Sequence, residues 1–144
     1  MKKLYGVAAI GAAVVLGFLA RGVVPMEPVA HAQSGRIFEL RTYTAPEGKL
    51  ADLHARFRDQ TLRIFKKHGM ENIIYLAPQD APLSQNTMIY LLAHPSREAA
   101  EKSWAAFGKD PEWQKVAQET QVNGKIVAKV DRIFLNATDY SPLK

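Results

Sequence analysis

Phe38 to Leu50 reads FELRTYTAPEGKL. Polar and apolar residues alternate from Arg36 to Thr44, the period-2 signature of a strand with two unlike faces. Phe38 and Leu40 point one way, and Ile37, Glu39, Arg41 and Tyr43 point the other. Ala45-Pro46 ends the strand. Pro46-Glu47-Gly48 then opens a helix of about six turns, in which Leu50, Leu53, Phe57, Thr61 and Ile64 recur at helical spacing. Phe65 and His68 widen that stripe, while Arg56, Arg58, Asp59, Lys66 and Lys67 are assigned to the solvent side. Gly69 stops the helix, because the position after a helix favours a left-handed backbone. On this reading Phe38, Leu40, Leu50 and Leu53 specify the fold. Arg41 and Tyr43 are left as candidates for function.

The remaining segments continue the alternation. Asn72 to Ala77 is a second strand, rich in β-branched and aromatic residues. Pro78 to Asn86 is a loop, and Thr87 to His94 is a strand apolar on both faces, hence central. Ser96 caps a second helix with Glu98 and Glu101 in its opening turns and an apolar stripe of Ala100, Trp104 and Phe107. Gly108 is expected to end it. Asp110 caps a short third helix with Pro111 at its first position, and Trp113, Val116 and Ala117 face inward. Asn123-Gly124 is a turn before a last strand from Lys125 to Leu135. The order is βαβ followed by βαβ, an α+β ferredoxin-like split βαβ sandwich. Two helical layers cover one sheet face only. The last strand is partly apolar on both sides, so the uncovered face is expected to meet the sheet of a second copy in a homodimer.

The chain has 144 residues and is 47% hydrophobic, which fits one globular domain and excludes a disordered chain. Residues 1–32 read as a secretory signal and residues 33–144 as the domain. Lys2 and Lys3 form a positive start, Leu4 to Ala20 is uncharged and apolar, and Ala30-His31-Ala32 is a small-x-small cleavage pattern. Export to the periplasm or the medium follows. The alternative is an uncleaved membrane anchor, since the apolar run sits at the lower edge of the roughly 17–25 residues that span a bilayer. Removing residues 1–32 takes away three basic residues and one acidic one and lowers the net charge from +5 to +3. That is too small and dispersed for a nucleic-acid partner. The absence of cysteine removes disulfides, thiolate catalysis and zinc–cysteine sites.

The order and spacing of several short motifs resemble the NIPSNAP family, within the dimeric α+β barrel superfamily. They are Glu39-Leu40-Arg41-Thr42-Tyr43, Gly48-Lys49-Leu50, His68-Gly69, Pro82-Leu83-Ser84-Gln85, Asp110-Pro111-Glu112-Trp113 and Tyr140-Ser141-Pro142. The resemblance covers Arg36 to about Pro142. It implies a dimeric barrel fold and no agreed catalytic residues. Barrel relatives include small monooxygenases and degradative enzymes acting on aromatic or polyketide-like compounds, an analogy of fold. Animal relatives carry mitochondrial targeting where this chain carries an export signal, so their roles in organelles do not transfer.

No histidine of the domain is spaced for a metal site, so neither metal nor cofactor is expected. His54 follows the Leu50/Leu53 stripe and is expected to be partly buried and hydrogen-bonded. Arg41 and Tyr43 share a strand face; Arg41 is suited to holding a carboxylate or enolate oxygen. Its structural alternative is a buried ion pair with Glu39 or Asp131. Tyr75, Tyr90, Trp104, Phe107 and Trp113 either fill the core or wall a cleft for a flat apolar ligand. The candidate ligand-binding set is therefore Arg41, Tyr43, His54, Tyr90 and Trp104. The leading expectation is a homodimer that binds a small apolar or aromatic molecule. An interaction module without a pocket, or a cofactor-free monooxygenase or isomerase using Arg41 with Tyr43 or His54, is the alternative.

Overall fold

The computed structural model describes residues 35–144, so the expected signal segment lies outside the described residues. β1 (Ile37–Thr44) leads into a continuous helix built from α1 (Leu50–Arg56), a π-helical segment (Phe57–Thr61) and α2 (Leu62–Lys67). β2 (Glu71–Leu76) and β3 (Thr87–His94) follow, then α3 (Arg97–Lys109), α4 (Pro111–Glu119) and β4 (Lys129–Leu135). The strands form one sheet in the order β2-β3-β1-β4, every neighbouring pair antiparallel. This is the ferredoxin-like α+β order that two βαβ units produce. Among the described residues no helix is long and apolar enough to cross a membrane.

The buried set shows which sheet face the helices cover. Tyr43, Met88, Tyr90 and Leu92 pack with Leu53, Phe57, Ile64, Phe65 and Phe107 in one cluster. The odd-numbered face of β1, with Ile37, Glu39, Arg41 and Tyr43, therefore lies under the helices. Phe38 and Leu40, read from sequence as fold-specifying, lie on the opposite face. Register places Leu40 opposite Leu91 and Ile133, and Phe38 opposite Ala93 and Leu135. Alternation identifies residues that share a face; both faces are apolar here, so it does not identify the covered one. Ile74, Leu76, Ile133 and Leu135 on the uncovered face are exposed, Ile133 at 54%. Phe38 is buried beneath the Arg36 guanidinium, which pairs with Glu71 at 2.7 Å and meets the Lys144 carbonyl.

The π segment has a cause in the sequence. Leu53, Phe57, Thr61 and Phe65 are four apart three times in succession and all are buried. An α-helix would rotate such a row steadily off the core, because four residues exceed one turn of 3.6. A wider turn holds the row on one face. The Thr61 hydroxyl donates to the Arg56 carbonyl at 3.2 Å, closing that turn.

Other boundaries depend on caps. The Ser96 hydroxyl accepts from the Ala99 N–H at 3.1 Å and starts α3. Gly108 lies inside α3, one residue before its end, rather than terminating it; Asp110 supplies the stop. β4 begins at Lys129 rather than Lys125, although Ala128 N–H already bonds the Thr44 carbonyl at 2.8 Å.

Asp110 joins the end of α2 to the start of α4. One carboxylate oxygen accepts from the Glu112 N–H at 2.9 Å and caps α4. The other meets Lys67 Nζ at 2.7 Å and His68 Nε2 at 2.6 Å at the end of α2. Glu112 adds contacts to Lys67 and Arg63. The hydrogen bonds from Lys67 and His68 hold the Asp110 carboxyl well below its ordinary value. A carboxyl lowered on folding stabilises fully above its unfolded pKa, and that contribution is lost as the pH falls from there through the folded one. Asp110→Ala is expected to lower Tm at pH 7. The gap from the parent should narrow as the pH drops below about 3.8; thermal scans by circular dichroism across that range would read it. A gap independent of pH would contradict the role given to the carboxylate.

Candidate functional site

Two regions of the helix-covered face hold four of the five candidate side chains expected from sequence. The first is a buried polar knot. Glu39 is 0% exposed and accepts three side-chain hydrogen bonds. His94 Nε2 lies 2.9 Å and Trp104 Nε1 2.7 Å from its Oε2, and an Arg41 terminal nitrogen lies 3.1 Å from Oε1. The Arg41 guanidinium also rests 3.9 Å from the centre of the Trp104 ring, a cation–π contact. Burial pushes the Glu39 carboxyl up, but the bonds from His94 and Trp104 and the charges of Arg41 and His94 outweigh it and leave it below its ordinary value. The Arg41–Glu39 pair is thus the buried ion pair that sequence offered as the structural reading. Asp131, the other partner considered, pairs with Lys129 at 2.7 Å. His94 Nδ1 and Arg41 Nε have no hydrogen-bond partner among the described residues.

The second region is aromatic. Tyr43 meets Phe57 and Tyr90 edge-on at 5.7 and 5.3 Å, and Tyr90 stacks on Tyr75 at 5.4 Å. Tyr90 is fully buried and its hydroxyl has no hydrogen-bond partner. Burial raises the phenols of Tyr90 and Tyr75 well above their ordinary values. Both stay protonated at any physiological pH. Tyr43 and Tyr90 are core residues, and Trp104 is a half-buried wall between knot and core.

His54 stands apart from both regions. It lines a cleft of about 200 Å³ with Phe57, Arg58, Leu62, Tyr75 and Met88. His54, Arg58 and Leu62 are again four apart, so the π turn that aligns the buried row also aligns this one along the cleft wall. His54 is half-buried and makes no hydrogen bond among the described residues, contrary to the bonded histidine expected there. His68 and His94 are the bonded ones. The structure does not gather Arg41, Tyr43 and His54 into one cleft.

Sequence reasoning missed Arg56. It was assigned to the solvent side, yet it is 6% exposed and its guanidinium lies 5.1 Å from the centre of the Trp113 ring. Position 56 follows Leu53 by three and precedes Phe57, a placement that already brings it to the edge of the apolar stripe. It lines a second cleft, about 340 Å³, on the other flank of the helix. Among the described residues no group of three histidines or carboxylates is gathered where it would hold a metal ion.

Comparison with known proteins agrees with this architecture. The NIPSNAP family model matches residues 38–142. No curated protein matches the chain significantly. A crystal structure of a NIPSNAP family protein with unknown function from Agrobacterium tumefaciens is 20% identical, covers 79% of this chain and 97% of its own, and superposes with a TM-score of 0.68. A second NIPSNAP family protein from that organism is 23% identical over 76% of this chain and 99% of its own, with a TM-score of 0.66. SnoaB, a cofactor-independent oxygenase from Streptomyces nogalater, is 10% identical over 76% of this chain and 99% of its own, with a TM-score of 0.52. At these identities the solved structures establish the α+β barrel-type fold they share with the chain.

Removing one member of a buried charge network leaves the others uncompensated, at a cost of about 3–5 kcal/mol. Glu39→Ala is expected to lose that much in urea denaturation. Because the folded carboxyl titrates below 4.5, its contribution is complete above that pH and is lost as the pH falls through it. A loss under about 1 kcal/mol, the scale of a solvent-exposed pair, would contradict a dry knot.

Proposed function

The chain belongs to the NIPSNAP family, and from that premise we propose that it is an exported, homodimeric domain that binds a small, flat, largely apolar or aromatic molecule. One observation carries the binding reading: the cleft beside the π segment. Phe57, Leu62, Tyr75 and Met88 give it apolar walls, and His54 and Arg58 supply its polar groups. Few polar groups in a mostly apolar concavity is the general form of a small-molecule site. A volume of about 200 Å³ suits one or two fused rings. The existence of this cleft favours binding over an interaction module without a pocket.

Dimerisation rests on the uncovered sheet face. Leu40, Leu91, Ile89, Ile74 and Ile133 share it, and its charges stand near the two ends, at Glu71 and at Lys129 and Asp131. An apolar face with charge confined to its margins is self-complementary, so a second copy is its occupant. Export rests on the segment 1–32.

A cofactor-free oxygenase or isomerase is the second reading. It is favoured by His54, which faces a cleft with neither ring nitrogen hydrogen-bonded among the described residues and so is placed to accept a substrate proton. SnoaB, which shares the fold, is a cofactor-independent oxygenase. In this reading Arg41 cannot serve as the oxyanion holder beside His54, because Glu39 and Trp104 already occupy it.

Two measurements test the proposal. Titration with 1-naphthol, followed by tyrosine and tryptophan fluorescence, is expected to saturate. Leu62→Trp, which fills the cleft, should abolish saturation while leaving the circular dichroism spectrum intact. Equal binding by parent and variant would place the ligand elsewhere. Ile133→Lys puts a charge on the uncovered face and is expected to turn the dimer into a folded monomer in native mass spectrometry. A parent that is monomeric at micromolar concentration would refute the dimer.

A further inference from the structure

The second cleft contains an electrostatic imbalance. Arg56 is its innermost charged group, 6% exposed, and its Nε has no hydrogen-bond partner. Among the described residues no carboxylate lies within ion-pair distance of it, whereas Arg41, the other arginine under the helices, is paired. A largely buried guanidinium without an anion is costly. Burial accordingly lowers the Arg56 pKa, partly offset by the nearby Tyr43 and Tyr90 hydroxyls.

Three carboxylates stand around the same cleft. Asp52 is engaged by Lys49 at 3.3 Å and Glu119 by Lys115 at 3.8 Å. Asp59 is exposed and has no ion pair among the described residues. The cleft therefore leaves two charges uncompensated, a buried cation and a carboxylate at the mouth. They are three residues apart on one helix, and both line this cleft. A simple anion would satisfy Arg56 and be repelled by the rim. A simple amine would satisfy Asp59 and leave Arg56 buried alone. Only a ligand with both charges close together meets both requirements.

We propose that this cleft is a binding site for a small zwitterion, an α-amino acid with an apolar side chain. Its carboxylate lies across the Arg56 fork in a bidentate pair, its ammonium faces Asp59, and its side chain packs on Ala55, Val116 and Val122. A volume of about 340 Å³ accommodates a branched aliphatic residue. This site is distinct from the cleft at His54, with no lining residue in common, and the two proposals stand or fall separately.

Isothermal titration of the full-length protein with L-leucine tests it, alongside 4-methylpentanoate, which lacks the amine, and 3-methylbutylamine, which lacks the carboxylate. Leucine is expected to bind and each analogue to bind about tenfold more weakly or worse, the scale set by one charge-assisted hydrogen bond. Arg56→Lys keeps the charge and loses the fork, and should weaken leucine by a similar factor. Asp59→Asn, at an exposed position that leaves the fold intact, should weaken leucine and strengthen 4-methylpentanoate, which the rim charge no longer repels. No binding by leucine, valine, isoleucine, methionine or phenylalanine would overturn the proposal. So would analogues that bind as tightly as leucine, or an Asp59→Asn variant indistinguishable from the parent.

Discussion

A single carboxylate, Glu39, with no contact to water, organises the space beneath the helices. It comes from β1, and its partners come from β1, β3 and α3. A buried charge must be met on several sides or it destabilises the fold. Meeting it fixes the Arg41 guanidinium against the Trp104 ring and turns the His94 ring so that Nε2 faces inward. The residues that look most chemical in the sequence are thereby committed to holding α3 on the sheet. In the proposed reading, function is left to the margins of the helix layer.

The margins are shaped by the π turn. The same wide turn that keeps Leu53, Phe57, Thr61 and Phe65 on the core sets two further rows on the flanks of the helix. His54, Arg58 and Leu62 run along the β2–β3 side, and Asp52, Arg56 and Gln60 along the α4 side. A regular α-helix would have spiralled these rows across one another. Both clefts therefore follow from one sequence property, the repeated spacing of four.

Most of the fold was legible in the sequence because its signals are local. Thr87 to His94 is β3 to the residue, Ser96 and Asp110 cap where their side chains allow, and Pro111 stands at the first position of α4. Long-range facts were not legible. Glu39 and His94 are 55 positions apart, and only the β1–β3 register, Ile37 opposite His94, brings their side chains together. Which face of β1 the helices cover stayed open in the sequence because Phe38 and Leu40 are as apolar as Ile37 and Tyr43, so alternation has no preferred sign. Arg56 was misplaced because charge outweighed position: a residue at the edge of an apolar stripe can lay its stem along the core. Of the five candidate site residues, four are embedded in the knot or the aromatic core, and His54 lines a cleft.

The central claim is that ligand chemistry belongs to the flanks of the α1–α2 helix, not to the Arg41–Tyr43 strand face. Amide chemical shifts of the ¹⁵N-labelled protein during addition of 1-naphthol test this residue by residue. Perturbations are expected to concentrate at His54, Arg58, Leu62, Tyr75 and Met88, with Glu39, Arg41, His94 and Trp104 unmoved. Perturbations centred on Arg41 and Trp104 instead would show that the knot opens to ligands, and would contradict that claim.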